Sequence, residues 1–256
     1  MLDQILSDAK VRSDATVGHG AEFVELAASA EPARGFASAL SGPGLSIIAE
    51  VKRRSPSRGV LAAGLDAVAQ ARTYEAAGAS AISVLTEPLH FDGSLDDLVA
   101  VREAVSIPLL RKDFLLEPEQ IWEARAAGAD AALLIVAVMD DRHLGRMLAT
   151  AREAGVEALV EVHNVGEAER AVAGGATLIG VNNRDLATFE TTLATAETLA
   201  SSVCQAGIVA VAESGIHEAH DARRMASAGY QAILVGEALV IADDPAAALS
   251  RMVAGA

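Results

Sequence analysis

Ala76-Ala77-Gly78-Ala79, running by way of Ser80 into Ala81-Ile82-Ser83-Val84-Leu85-Thr86, is one copy of a unit that recurs along the chain. An Ala-rich helical stretch ends at a glycine, and a short β-branched run follows at once. The unit returns as Ala126-Ala127-Gly128-Ala129 before ALLIV, Ala154-Gly155 before EALVEV, Gly174-Gly175-Ala176 before LIGVN, Ala206-Gly207 before IVAVAES and Ala228-Gly229 before AILVG. Glycine just past a helix takes the left-handed cap conformation without a Cβ clash, so each copy reads as a helix-to-strand joint.

Two further runs, Ile47–Lys52 and Pro108–Asp113, complete a set of expected strands with Ala81–Thr86, Ala131–Val136, Glu157–Val162, Leu178–Asn183, Ile208–Ser214 and Ala232–Gly236. Strand starts fall about 21 to 34 residues apart, the length of a strand, a helix and two short loops. Such alternation makes a parallel sheet, either open and doubly wound or closed. The polar residues decide between the two. Glu50, Lys52, Lys112, Glu161, Asn182 and Glu213 stand near the ends of five different strands, and only in a closed barrel do those ends meet at one mouth. No G-x-G-x-x-G follows the first strand, which weakens a dinucleotide-binding fold. The expectation is a (β/α)8 TIM barrel, an α/β fold, in a single domain: an N-terminal helical extension over residues 1–46 and the barrel over 47–256. Leu2, Ile5, Leu6 and Ala9 share a helical face, so the extension reads as one or two helices, set either over the mouth or against the bottom.

Composition narrows the function. With 35 acidic against 20 basic residues the net charge is −15, and a field of that sign repels nucleic acid and anionic membranes. Aromatics make up 3% of the chain, so the core must be built from Ala, Val, Leu and Ile. Cys204 is the one cysteine and reads as a buried or partly buried free thiol; no Cys/His cluster has metal-ligand spacing. The N-terminal segment lacks a signal-type apolar run and no stretch is long enough to span a bilayer, so the default expectation is a cytoplasmic protein.

Glu50 and Lys52 are two residues apart and share a face of their strand. A charge turned toward the Ala- and Leu-rich helix layer would cost several kcal/mol, so the pair should face the lumen near its open end, with Lys112, Glu161, Asn182 and Glu213 beside it. Two lysines and three glutamates around one cavity suit proton transfer, because each shifts the proton affinity of its neighbours. A phosphate site is expected where Glu213-Ser214-Gly215-Ile216 and Val235-Gly236-Glu237-Ala238 follow the last two strands, and the loop Arg53-Arg54-Ser55-Pro56-Ser57-Arg58-Gly59 adds hydroxyls and positive charge.

The segments IAEVKRRSPSRG, LTEPLHFDGSLDDL, IPLLRKDF, EARAAGADAALLIV, ALVEVH, IGVNNRDL, VAESGI and ILVGEAL, in this order from Ile48 to Leu239, resemble the indole-3-glycerol phosphate synthase family. The first, third, sixth and seventh together are highly specific. The resemblance implies ring closure and decarboxylation of 1-(2-carboxyphenylamino)-1-deoxyribulose 5-phosphate in tryptophan biosynthesis, a carboxy-lyase reaction that needs no cofactor and no metal. It implies Lys112 as the acid that protonates the ribulose carbonyl, Glu161 as the partner acid or base for dehydration, and Lys52 as a second proton donor. Glu50, Asn182 and Glu213 would hold these groups in register. Which lysine serves which step stays open. Ser55, Gly215 and Gly236 match phosphate-binding positions, with Ser214 close to the substrate and Arg184 toward its carboxylate. Pro56, Phe91, Phe114, Leu133 and Leu186 match an aromatic-ring pocket.

Glu237 departs from the pattern, which commonly has Ser or Thr there. A carboxylate beside a phosphate repels it, so Glu237 must point away or the grip weakens. The expected partner is a small phosphorylated substrate, with no nucleic acid and no membrane. The chain is expected to act as a monomer, separate from the fused two-enzyme form, with room for transient contact with other tryptophan-pathway enzymes. A sugar-phosphate isomerase of the same fold would not need the Lys-Glu set on strands one, three and five. A binding-only barrel would have lost Lys112 or Glu161.

Overall fold

The computed structural model describes residues 2–186 and 188–255; Met1, Ala187 and Ala256, which include the two ends of the expected domain, lie outside the described residues. Eight parallel strands close into a barrel: β1 (Ser46–Val51), β2 (Ala81–Leu85), β3 (Leu109–Lys112), β4 (Ala131–Ile135), β5 (Glu157–Val162), β6 (Leu178–Asn182), β7 (Val209–Glu213) and β8 (Ala232–Val235). Each pairs with its sequence neighbours, and β1 closes the ring against β8 through Ser46↔Ala232 to Ala49↔Val235. All eight expected strands are present, with ends shifted by one residue at most.

The helices outside are α4 (Ala67–Ala76), α5 (Leu95–Ala104), α6 (Glu119–Ala126), α7 (Asp141–Ala154), α8 (Val165–Ala173), α9 (Ala194–Val203), α10 (Ala219–Ala228), α11 (Glu237–Val240) and α12 (Pro245–Gly255), preceded by α1 (Leu2–Thr16), α2 (Gly20–Ser29) and α3 (Phe36–Ala39). Asp66, Ser94, Asp140 and Asn164 cap α4, α5, α7 and α8 by accepting N–H groups of the first turn. At the other ends the joint glycines take positive φ, from +67° at Gly155 to +102° at Gly229.

Strand parity sorts the side chains into two cores. Ile48, Ala81, Leu110, Ala131, Leu133, Leu159, Leu178, Val211, Ala232 and Leu234 fill the lumen, while Ile47, Ala49, Val51, Leu109, Val160 and Ile179 pack under the helices. Glu50, Lys112, Glu161, Asn182 and Glu213 each stand two or four residues beyond a lumen residue on the same strand, so the pleat turns them inward.

The extension does both things that periodicity had left as alternatives. Helix α3 stoppers the bottom, where Phe36 and Leu40 are fully buried in the lumen cluster and Glu157 accepts the N–H groups of Phe36 and Ala37. Helix α1 lies at the mouth, where Arg12 reaches Asp113 at 2.9 Å and Asp8 meets His90 at 2.8 Å.

Candidate active site

The C-terminal strand ends and the loops beyond them enclose one cavity. Its wall includes Glu50, Lys52, Ser55, Pro56, Phe91, Lys112, Phe114, Leu133, Glu161, Asn182, Arg184, Leu186, Ser214, Gly215 and Gly236, every residue expected there except Glu213. Glu213 is 1% exposed and does not line the cavity itself, but it is paired with Lys112, which does.

Two ion-paired centres face each other. In one, Lys52 Nζ donates to Glu50 Oε1 at 2.6 Å, both side chains on the same strand face. In the other, Lys112 Nζ lies 2.8 Å from Glu213 Oε2 and 3.5 Å from Glu161 Oε2, so one ammonium from β3 joins carboxylates of β7 and β5. Burial works against a charged Lys112, but the carboxylates of Glu213, Glu161 and Glu50 outweigh it and hold the group firmly as a cation. The glutamates are driven apart. Burial raises Glu161, yet Lys112 and His163 win and keep it well below the usual carboxylate range. Burial and the charge of Glu161 together lift Glu213 above that range despite Lys112, and its Oε1 has no hydrogen-bond partner among the described residues. Glu50, buried but paired with Lys52, stays low. A fixed cation, a fixed anion and a carboxyl that readily takes a proton thus share a few ångströms, an arrangement suited to moving protons in both directions.

Two glycines make room for these groups. A Cβ at Gly236 would collide with Glu50 Oε1, and one at Gly180 with Glu213 Oε1. Gly180 carries no sign in the sequence beyond being the one glycine within β6. On the phosphate side, Ser214 and Gly215 both have positive φ, +64° and +76°, which turns the chain sharply after β7. Asn183 donates to the Ser214 carbonyl at 3.2 Å and fixes that turn. Ser55 belongs to a small antiparallel hairpin, Arg54–Ser55 with Gly59–Val60, and its hydroxyl accepts the Arg58 N–H at 3.3 Å. Arg58 then reaches over the mouth to Glu237, Nε to Oε1 3.0 Å, so the departing carboxylate is neutralised in place.

The lining also has a large apolar share. Phe91 and Phe114 lie 6.4 Å apart between ring centroids, and Pro56, Leu133, Leu186 and, from α1, Leu2 and Ile5 line the same cavity. The sequence reading missed Leu2 and Ile5 as wall residues, along with Phe189, His217 and the clasp of Arg12 on Asp113. Their helical or loop pattern was visible, but not the distant strand end each one meets. Glu87, in the LTEP segment, is fully buried and accepts the N–H groups of Leu89, His90 and Phe91, which sets the loop carrying Phe91.

A family model described as Indole-3-glycerol phosphate synthase matches residues 2–252. The chain belongs to the indole-3-glycerol phosphate synthase family. Among relatives, it is 51% identical over 233 residues to the indole-3-glycerol phosphate synthase of Streptomyces griseus, covering 91% of this chain and 86% of that one. It is 49% identical over 253 residues to that of Mycobacterium ulcerans, covering 99% and 92%. Of solved structures, 3-hexulose-6-phosphate synthase from Salmonella typhimurium superposes with a TM-score of 0.67 at 16% identity, over 82% of this chain and 98% of that one, a likeness of fold alone.

Proposed function

We propose that this chain is an indole-3-glycerol phosphate synthase, closing the indole ring of 1-(2-carboxyphenylamino)-1-deoxyribulose 5-phosphate with loss of carbon dioxide and water. Above all, the convergence of Lys112, Glu161 and Glu213 from three separate strands beside an apolar slot supports it, in a chain of this family. The apolar wall of Phe91, Phe114, Pro56, Leu133 and Leu186 suits the substrate's benzene ring. Arg184, whose N–H donates to Asn182 Oδ1, suits its carboxylate. Ser55, Gly215 and Gly236, with Ser214 beside them, suit the phosphate.

In this reading Lys112 protonates the ribulose carbonyl oxygen as the ring carbon bearing the carboxylate attacks the carbonyl carbon. Loss of that carboxylate as carbon dioxide restores the aromatic ring. The new hydroxyl then takes a second proton, from Lys52 or Lys112, and leaves as water, while a proton of the new five-membered ring passes to Glu161. Glu50 orients Lys52, Glu213 orients Lys112, and Asn182 sits beside Glu161. No cofactor enters these steps. The extension and the barrel act as one domain, because α1 lends Leu2 and Ile5 to the cavity wall. The working unit is a single chain in the cytoplasm, and contacts with other tryptophan-pathway enzymes would be transient. No helix among the described residues is long and apolar enough to cross a membrane.

Purified protein given the aminodeoxyribulose phosphate in a metal-chelating buffer is expected to produce a rise of indole fluorescence and one carbon dioxide per turnover. Absence of both at neutral pH would overturn the assignment.

A further inference from the structure

His163 follows β5 directly and its side chain is 10% exposed, so the ring is out of reach of most solvent. Its Nδ1 lies 3.0 Å from Glu167 Oε2, in the first turn of α8, and its Nε2 lies 3.3 Å from Glu161 Oε1, an ion-pair contact. Glu167 is itself immobilised. Its Oε2 also accepts the His163 backbone N–H at 2.8 Å, its Oε1 accepts Asn164 Nδ2 at 2.7 Å, and its own N–H caps onto Asn164 Oδ1. A rigid carboxylate on the helix layer thus holds an imidazole against a carboxylate of the cavity.

We infer that His163 is a positioning residue for the proposed reaction: anchored by Glu167, it holds Glu161 by Oε1 and leaves Oε2 as the oxygen presented to Lys112 and the substrate. The inference rests on the function proposed above and deepens it by naming the residue that keeps Glu161 able to accept the ring proton. The charged groups facing the ring are Glu161 from β5 and Glu167 from α8, with Lys112 of β3 on the far side of the Glu161 carboxylate. Burial disfavours an imidazolium, but two carboxylates outweigh it and raise the ring to about 10, so His163 is a cation at neutral pH. Glu161 is therefore flanked by positive charge on both oxygens and stays an anion, a base. Glu213 has only the shared ammonium, which leaves it as the carboxyl that takes a proton more readily. The imidazolium, at the back of Glu161 alone, widens the difference between the two.

The signs follow. A cation beside Glu161 keeps its proton off; when the cation is removed, Glu161 takes up a proton at higher pH. His163→Gln, which keeps a donor near the Nε2 position without the charge, is expected to lower kcat about tenfold with KM within about threefold. It should also move the acidic limb of the kcat profile up by about one pH unit. Glu167→Gln should move the limb the same way by a smaller amount, and the double variant should be no slower than His163→Gln. Ring 15N shifts of His163 in the parent protein, assigned by their loss in His163→Gln, should remain those of an imidazolium from pH 6 to pH 9. A ring that titrates near its ordinary value, or a folded variant slower than the parent with an unmoved acidic limb, overturns the inference. If His163→Gln does not fold, the Glu167→Gln limb decides: a limb moved up supports the inference and an unmoved limb overturns it. A parent protein without turnover refutes the proposed reaction instead, while the ring shifts still report on His163.

Discussion

The two ends of the barrel both bury carboxylates, and they treat them differently. At the bottom, Asp130 is fully buried and accepts from the N–H groups of Arg34 and Leu109 and from the Arg102 guanidinium at 2.8 Å, and Glu157 takes two backbone N–H groups of α3. Every one of these oxygens has a donor of fixed direction. At the mouth, Glu161 and Glu213 divide the ammonium of Lys112, His163 stands behind Glu161 alone, and one oxygen of Glu213 has no partner among the described residues. A buried charge with its bonds satisfied holds the fold together, whereas one left short is held there by its neighbours and is ready to exchange a proton.

Breaking each end in turn tests that contrast. Lys112→Ala is expected to lower kcat about 1000-fold, about 4 kcal/mol of barrier, while cooperative unfolding is retained; activity within about threefold of the parent would remove the acid role. Asp130→Ala should do the reverse, with a loss of about 3 kcal/mol of stability in urea unfolding and kcat per folded molecule little changed, because it strands Arg102 and two N–H groups far from the chemistry. The smallest effect is expected at the rim. Glu237→Gln removes a carboxylate from the expected phosphate site and frees Arg58, so KM should fall about threefold, while Arg58→Ala should raise it; added salt should shrink both effects, because the Arg58 side of the pair is open to solvent. Equal KM values in the parent and both variants would mean that the pair lies outside the phosphate's reach.

The mouth half of this contrast was legible in the sequence, whereas the carboxylates at the bottom, Asp130 and Glu157, were not. A glycine joint followed by a β-branched run marks a strand start by local sterics, so six strands could be placed to within a residue, and the two remaining apolar runs completed the eight. The alternation of side chains along a strand then fixed that Glu50 and Lys52 face inward. Which carboxylates reach the cavity was harder, since nothing local distinguishes Glu161, which lines it, from Glu213, which does not. Also hidden were the contacts that join distant parts of the chain, such as Arg12 with Asp113 or Arg58 with Glu237, because a long side chain's reach leaves no periodicity. His163 was quoted in its segment but not read as functional, since its meaning lies in the carboxylates on either side of it.

With Phe36 and Leu40 corking the lumen from below, the barrel is a flask rather than a pipe. Under the proposed reaction the gas released inside has no back exit and must escape through the neck that admitted the sugar, past α1 and the loops of the rim. Whatever slows the parting of those rim elements would therefore delay substrate entry and product departure alike.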